Sequence, residues 1–180
     1  MQSANVAVCF LLILLSSVAM ASETPIVEAS AKSCQEKAFR NDLNYSVARI
    51  MSAADLKEYL SHEPKASPLR SLSKNGRNAF IESLSFNSSG LTGYNYAPLD
   101  AELTVSEAYR VLALFGDQHN TLHLKSARVE SDLDAAVLDY LKASAAPNDM
   151  KCSGRDYPDY RCESHATCAL KTRYLCKSNC

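Results

Sequence analysis

The sequence predicts an α+β domain, mainly short helices with one β-hairpin and a disulfide-stapled C-terminal tail. Three observations predict it. Apolar residues recur at three- and four-residue intervals through most of residues 33–146. One stretch, Phe80 to Tyr96, instead alternates partially about the turn-forming Asn87-Ser88-Ser89-Gly90. Five cysteines, Cys152, Cys162, Cys168, Cys176 and Cys180, crowd residues 147–180.

Residues 1–21 read as a secretory signal. An apolar run from Val6 to Leu15 precedes Ala19 and Ala21, the small-x-small pattern that a signal peptidase cleaves. The run is about half the roughly 20 residues that cross a bilayer. Residues 22–32, short and polar with Pro25, are expected to be a flexible leader. Helical spacing follows: Cys34, Ala38, Phe39, Leu43, Val47, Ile50 and Met51. Ser52 with Asp55 starts a second helix, and Ser67-Pro68 is an N-cap and first position for a short one ending near Asn75-Gly76. Phe80 to Phe86 and Leu91 to Tyr96 are then the two strands of a hairpin. A lone hairpin is marginal, so it must pack on helices or find further strands.

Thr104 and Glu107 form a capping box ahead of Ala108, Val111, Leu112, Leu114 and Phe115, with Gly116 as a natural stop. That helix is apolar nearly all round and is expected to be central. Ser131 and Asp134 repeat the cap before Leu133, Val137, Leu138 and Leu141. Residues 147–180 hold few large aliphatics, Leu170 and Leu175, and need cross-links to stay ordered against the core of residues 33–146.

The composition excludes some functions. A chain of 180 residues with 47% apolar content is globular, not disordered. A net charge of -1 leaves no broad basic surface for nucleic acid. No apolar segment after residue 21 approaches spanning length, so no membrane span is expected in the processed chain. With Cys9 removed, Cys34 and the five tail cysteines remain, an even number in an oxidising compartment, periplasmic or secreted. The simplest pairing is one long-range bond from Cys34 to the tail and two bonds within it. Sequence does not choose among the alternatives.

Candidate chemistry is sparse. Cys162, His165 and Cys168 suggest zinc, but paired CxxC knuckles are absent and exported thiols oxidise. His119 and His123 are four apart, with Asp117 or Glu107 as a third ligand, but lack the HExxH pattern; a polar loop is the plainer reading. Glu130, Asp132 and Asp134 could be an acid/base cluster, yet helix N-termini favour acidic residues anyway. There is no G-x-S-x-G elbow, P-loop or G-x-G-x-x-G, so neither cofactor nor metal is expected. Asn44 and Asn87 begin glycosylation sequons.

Two tyrosine-bearing segments point instead to binding. Tyr94 and Tyr96 are expected near a hairpin edge, and Tyr157, Tyr160 and Arg161 in a loop bounded by Cys152 and Cys162. Tyr and Arg are enriched at binding hot spots, and a cross-linked loop loses little entropy on association. The plainer reading is that these tyrosines cover a thin core. The expectation is an exported module that binds another protein, such as an inhibitor or immunity protein against a toxin or hydrolase. The alternatives are a small secreted hydrolase with a dispersed site, which a histidine beside a carboxylate in a pocket would favour, or a non-enzymatic envelope protein or effector.

Overall fold

The C-terminal tail is not a coat on a finished core; it supplies half of the sheet. The structure, a computed structural model, describes residues 25–145 and 156–180. The expected signal sequence, its expected cleavage site and Cys152 lie outside the described residues. Four antiparallel strands run in the order β1-β2-β4-β3: β1 Ser85–Asn87, β2 Gly90–Asn95, β3 Tyr157–Ser164 and β4 Thr167–Cys176. Gly93 of β2 is registered against Cys176 of β4, and Tyr94 against Leu175. The early hairpin thus finds its further strands in the tail, where a loop was expected around Tyr157 and Tyr160.

Six α-helices surround this sheet among the described residues: α1 Pro25–Ser46, α2 Ala53–Ser61, α3 Lys74–Ser83, α4 Ala97–Glu102, α5 Val105–Ala113 and α6 Asp132–Ser144. Two 3-10 turns, Pro68–Ser71 and Gln118–His123, join them. The fold is therefore α+β with short helices, as its sequence predicts. Local capping explains where most helices begin. Ser52 accepts from Asp55 N at 3.1 Å, and Ser67 from Leu69 N at 3.3 Å. At α5, Thr104 accepts from Glu107 N at 3.4 Å while Glu107 takes Thr104 N at 3.0 Å.

Three expectations change. The leader of residues 22–32 is helical from Pro25 onward, because proline at a first helical position loses nothing. The short helix expected to run from Ser67-Pro68 to about Asn75-Gly76 stops at Ser71, and α3 starts at Lys74 where a break was expected: Ser73 caps it, accepting from Gly76 N at 3.0 Å. Gly76 is needed for packing, since a Cβ there would meet the Glu102 carboxylate at 2.2 Å, and that carboxylate binds Ser73 N at 2.8 Å. Phe80 to Ser83 is consequently helix, and only Ser85–Asn87 pairs as strand. Finally, the apolar stripe of α1 does not enter the core. Phe39, Leu43 and Val47 are exposed, and Ile50, beyond the helix end, is the residue that is buried.

The core gathers around α5. Phe80 packs edge-on against Tyr94 and Phe115 at 5.8 and 5.9 Å, with Leu69, Leu99, Leu103, Val111, Leu112 and Leu175 around them. Gly116, at φ 70°, turns the chain away from α5 where a Cβ would strike the Tyr45 backbone at 2.7 Å. Asp134 joins α5 to α6. It closes the Ser131 cap, takes Ser106 N at 2.8 Å, and is buried. Of the acidic triplet, Asp134 is thus taken up by the start of α6, and Glu130 pairs with Arg128 at 2.6 Å.

Two disulfides cross-link the tail: Cys162–Cys180 and Cys168–Cys176. Cys34 is also disulfide-bonded. With those four cysteines paired together and Cys9 in the signal segment expected to be cleaved, peptide mapping without reduction should find Cys34 linked to Cys152. A free Cys152 sulfhydryl in native material would contradict this.

Burial alone would favour the protonated Asp134, but hydrogen bonds from Ser131 and the Ser106 backbone outweigh it and hold the carboxyl well below the ordinary range. Because the folded-state value is lowered, its stabilisation is present above about pH 4 and is lost as pH falls below that. Asp134→Asn should cost about 2–3 kcal/mol in urea titrations at neutral pH and remove that part of the acid sensitivity.

Candidate functional site

The end of α5, the turn after it and both ends of the tail hairpin converge on one buried charge cluster. Gly116 delivers Asp117, which is fully buried, and the Gln118–His123 turn presents His119 and Asn120 beside it. Asp156 arrives at the entrance to β3, and Lys177 directly after β4. Lys177 Nζ bridges the two carboxylates: it lies on Asp117 Oδ1, and 3.0 Å from Asp156 Oδ2. Asn120 Nδ2 donates to Asp117 Oδ1 at 2.9 Å and to Asp156 Oδ2 at 2.7 Å. Tyr94 donates its hydroxyl to Asp117 Oδ2 at 2.7 Å, and Ser178 N reaches Asp156 Oδ1 at 2.9 Å. His119 Nε2 stands 3.4 Å from Asp156 Oδ2.

The charges stabilise one another against burial. Burial would raise the Asp156 carboxyl, but the His119 hydrogen bond, the Lys177 charge and Asn120 hold it far below the ordinary carboxylate range. Burial would likewise neutralise Lys177, and Asp117 and Asp156 keep it protonated. Burial, then the Asp117 charge, pushes the Tyr94 hydroxyl well up, so it remains a donor.

A cation site is suggested here by spacing, since ligand atoms of Asp117, His119 and Asp156 lie within 4.8 Å of one another. The ammonium of Lys177 already lies on the same two carboxylate oxygens, so a metal ion would have to evict it. His123 stands outside this group and lines the neighbouring cavity, while Glu107 is taken by the α5 cap. Cys162 and Cys168, weighed as zinc ligands with His165, are in disulfides and offer no thiolate.

Beside the charge cluster opens a cavity of about 280 Å³. Its wall includes Gln118, His119, Asp156, Tyr109, Tyr140 and Asn44. Gln118 Oε1 and His119 Nδ1, neighbours on the 3-10 turn, are buried with no hydrogen-bond partner.

The tyrosines expected to bind divide into two pairs. Tyr94 and Tyr96 are buried, so neither presents a surface. Tyr96 donates to Asp159 Oδ1 at 2.7 Å, and Asp159 Oδ1 also accepts from Arg173 N at 2.9 Å. Asp159 and Arg173 both have φ 65°, so this pair marks a bulge where the β3–β4 register shifts. Arg173 in turn pairs its guanidinium with buried Asp100. Tyr157, Tyr160 and Arg161 are exposed, on strand β3 and not in a loop. The Tyr157 and Tyr160 rings meet edge-on at 6.3 Å, and Leu170, registered opposite Tyr160, is 77% exposed. Of the sequon residues, Asn87 donates its amide to Asn179 O at 2.7 Å and Asn44 lines the cavity.

Sequence reasoning put Asp117 beside His119 as a possible ligand but did not connect Asp156, Lys177 or Asn120 to them. No spacing rule could have found Lys177, because its partners are far away in the chain and the strands that deliver it were not foreseen. No family model matches the chain, and no curated protein or solved structure matches it.

Lys177→Met leaves two buried carboxylates without their cation and should cost about 3–5 kcal/mol in chemical denaturation. Adding Asp156→Asn should recover part of that loss. A single Lys177→Met variant as stable as the parent would show that the cluster does not hold the tail.

Proposed function

We propose that this is an exported protein-binding module, of the inhibitor or immunity type, that grips its partner with the outer face of the β3–β4 hairpin. The observation that carries the reading is the exposure of Tyr157, Tyr160 and Leu170 together on one cross-linked hairpin, with Arg161 exposed on the same strand. Large apolar side chains clustered in solvent mark interaction surfaces. Tyr and Arg are the residues that supply most binding energy at interfaces. Two disulfides, the Lys177 bridge and the Tyr96–Asp159 bond hold the hairpin in place, so little freedom is lost on docking. Export is supported by the signal-like first 21 residues and by the disulfides. Among the described residues no helix is long and apolar enough to cross a membrane.

A second reading, a small secreted hydrolase, is favoured by His119 beside Asp156 in a cavity. It ranks lower because Lys177, Asn120 and Ser178 already occupy the Asp156 oxygens. Among the described residues no serine, threonine or cysteine side chain is hydrogen-bonded to His119, so no side-chain nucleophile is paired with it.

Partner capture from envelope extract or culture fluid tests the first reading. The oxidised protein should retain one partner, and Tyr157→Ala with Tyr160→Ala should weaken capture by about 30-fold or more with the fold intact. Capture unchanged in that variant and in Leu170→Asp would remove the hairpin face as the interface. Hydrolysis that disappears with His119→Ala would establish the second reading instead.

A further inference from the structure

We propose that the four cysteines of the β3–β4 hairpin form a thiol–disulfide exchange site, at which a trace of small thiol converts the observed pairing into Cys162–Cys168 with Cys176–Cys180. The observed bonds are Cys162–Cys180 and Cys168–Cys176. The two disulfides adjoin: the sulfurs of Cys162, Cys176 and Cys180 all lie within 4.8 Å of one another. Cys176 is thus held beside both atoms of the other disulfide. Cys162 and Cys168 are also registered directly opposite each other on β3 and β4. Cross-strand partners stand about 4.5–5.5 Å apart at Cα, inside the range of about 4.4–6.8 Å that a disulfide spans. Each bond of the second pairing therefore joins residues that the fold has already brought together.

Access sets the order of events. Cys162 and Cys168 are partly exposed, whereas Cys176 and Cys180 are buried. A thiolate from solvent therefore attacks Cys168 Sγ. A mixed disulfide forms there, the Cys168–Cys176 bond breaks, and Cys176 leaves as a thiolate. Apolar surroundings disfavour a buried thiolate, which drives it onto the disulfide beside it. Cys176 attacks Cys180 Sγ, making Cys176–Cys180 and expelling Cys162 as the thiolate. Cys162 then attacks Cys168 Sγ, making Cys162–Cys168 and returning the small thiol as its thiolate. Nothing is oxidised or reduced overall, and the thiol acts as a catalyst.

The exchange alters what the bonds hold together. Cys168 and Cys176 both lie on β4 with a sequence separation of 8, yet their Cα atoms are 6.0 Å apart. A straight strand would put them about 26 Å apart. The hairpin is bent back on itself where Asp159 and Arg173 take φ 65°; between the pairs Pro158–Leu175 and Tyr160–Leu170, β3 advances two residues and β4 five. The observed disulfides tie the outer part, residues 160–170, to Cys176 beside β2 and to the chain end. The second pairing ties the outer part only to itself, and Cys176 only to the chain end. Exchange thus frees residues 160–170 from the sheet and leaves the β2–β4 pairing in place. The inference holds whether or not the hairpin face is an interface.

Trypsin separates the two pairings, because it cuts after Arg161, Lys171, Arg173 and Lys177. The observed pairing holds peptides 162–171, 174–177 and 178–180 in one species. The exchanged pairing leaves 162–171 alone with an internal bond and joins 174–177 to 178–180. A further cut after Glu163 identifies the third pairing, Cys162–Cys176 with Cys168–Cys180. The full oxidised protein is incubated with substoichiometric reduced glutathione, quenched in acid, alkylated and mapped by mass spectrometry without reduction. Exchanged chains should outnumber the glutathione added, and the third pairing should not form in native buffer. In the exchanged protein, amide hydrogen exchange at residues 160–170 should speed up about tenfold or more while residues 90–95 keep their protection. Absence of the exchanged peptides, or a yield no greater than the thiol added, would overturn the proposal. So would the mixture of all pairings that urea-unfolded protein gives, or unaltered protection of residues 160–170.

Discussion

The ammonium of Lys177 is the interaction on which the docking of the β3–β4 hairpin against the core depends most. The β3–β4 hairpin joins the sheet through a short run of pairs, from Gly93 against Cys176 to Asn95 against Tyr174. Its own sequence is poor in aliphatics, and Leu175 is the large apolar residue it buries in the shared core. Apolar burial alone thus gives the hairpin a weak hold. Lys177 supplies the rest by standing between Asp117, which belongs to the core, and Asp156, which belongs to the hairpin's entrance. Remove the cation and the same two carboxylates repel with little solvent between them and bulk to screen it. The bridge therefore selects one docking of the hairpin and penalises others, a role that suits a buried ion pair better than stabilisation as such.

The disulfides act at a different level. Cys162–Cys180 and Cys168–Cys176 tie the hairpin to itself and to the chain end, not to the helices. They keep the unit rigid, while Lys177, the Tyr96–Asp159 bond and the Arg173–Asp100 pair attach it. Each attachment meets a buried or bonded group on the core side, so the hairpin's inner edge is polar and matched. Its outer face is left with Tyr157, Tyr160 and Leu170 in solvent.

What the sequence made legible follows the range of the forces involved. Ser52, Ser67, Thr104 and Ser131 were all read as caps because capping is settled within three residues. The apolar run of α5 marked the centre of the core for the same reason. Errors arose wherever a distant partner decides. Gly76 looked like a stop because nothing nearby shows that Glu102 closes over it. Phe80 to Phe86 alternates like a strand, but Phe80 is spaced to meet Tyr94 and Phe115 from a helix. Tyr94 and Tyr96 were candidates for a surface because their acidic acceptors, Asp117 and Asp159, are remote in the chain. Tyr157, Tyr160 and Arg161 stayed exposed, yet on a strand whose partner was invisible without the fold.

The exposed strand also constrains how a partner could be gripped. β3 is at the sheet edge, where unpaired backbone groups invite another strand to add. The register breaks at Asp159, whose positive φ bends the strand, and breaks again between Cys162 and Ser164. A partner strand would find no long, straight ladder to extend. Bulges of this kind protect edges from indiscriminate pairing. At the same time, the first bulge places Tyr160 on the same side as Tyr157, with Leu170 opposite it, and so concentrates the apolar side chains on one face. One local distortion, held by Asp159 between Tyr96 and Arg173, thus closes the backbone route to association and opens the side-chain route.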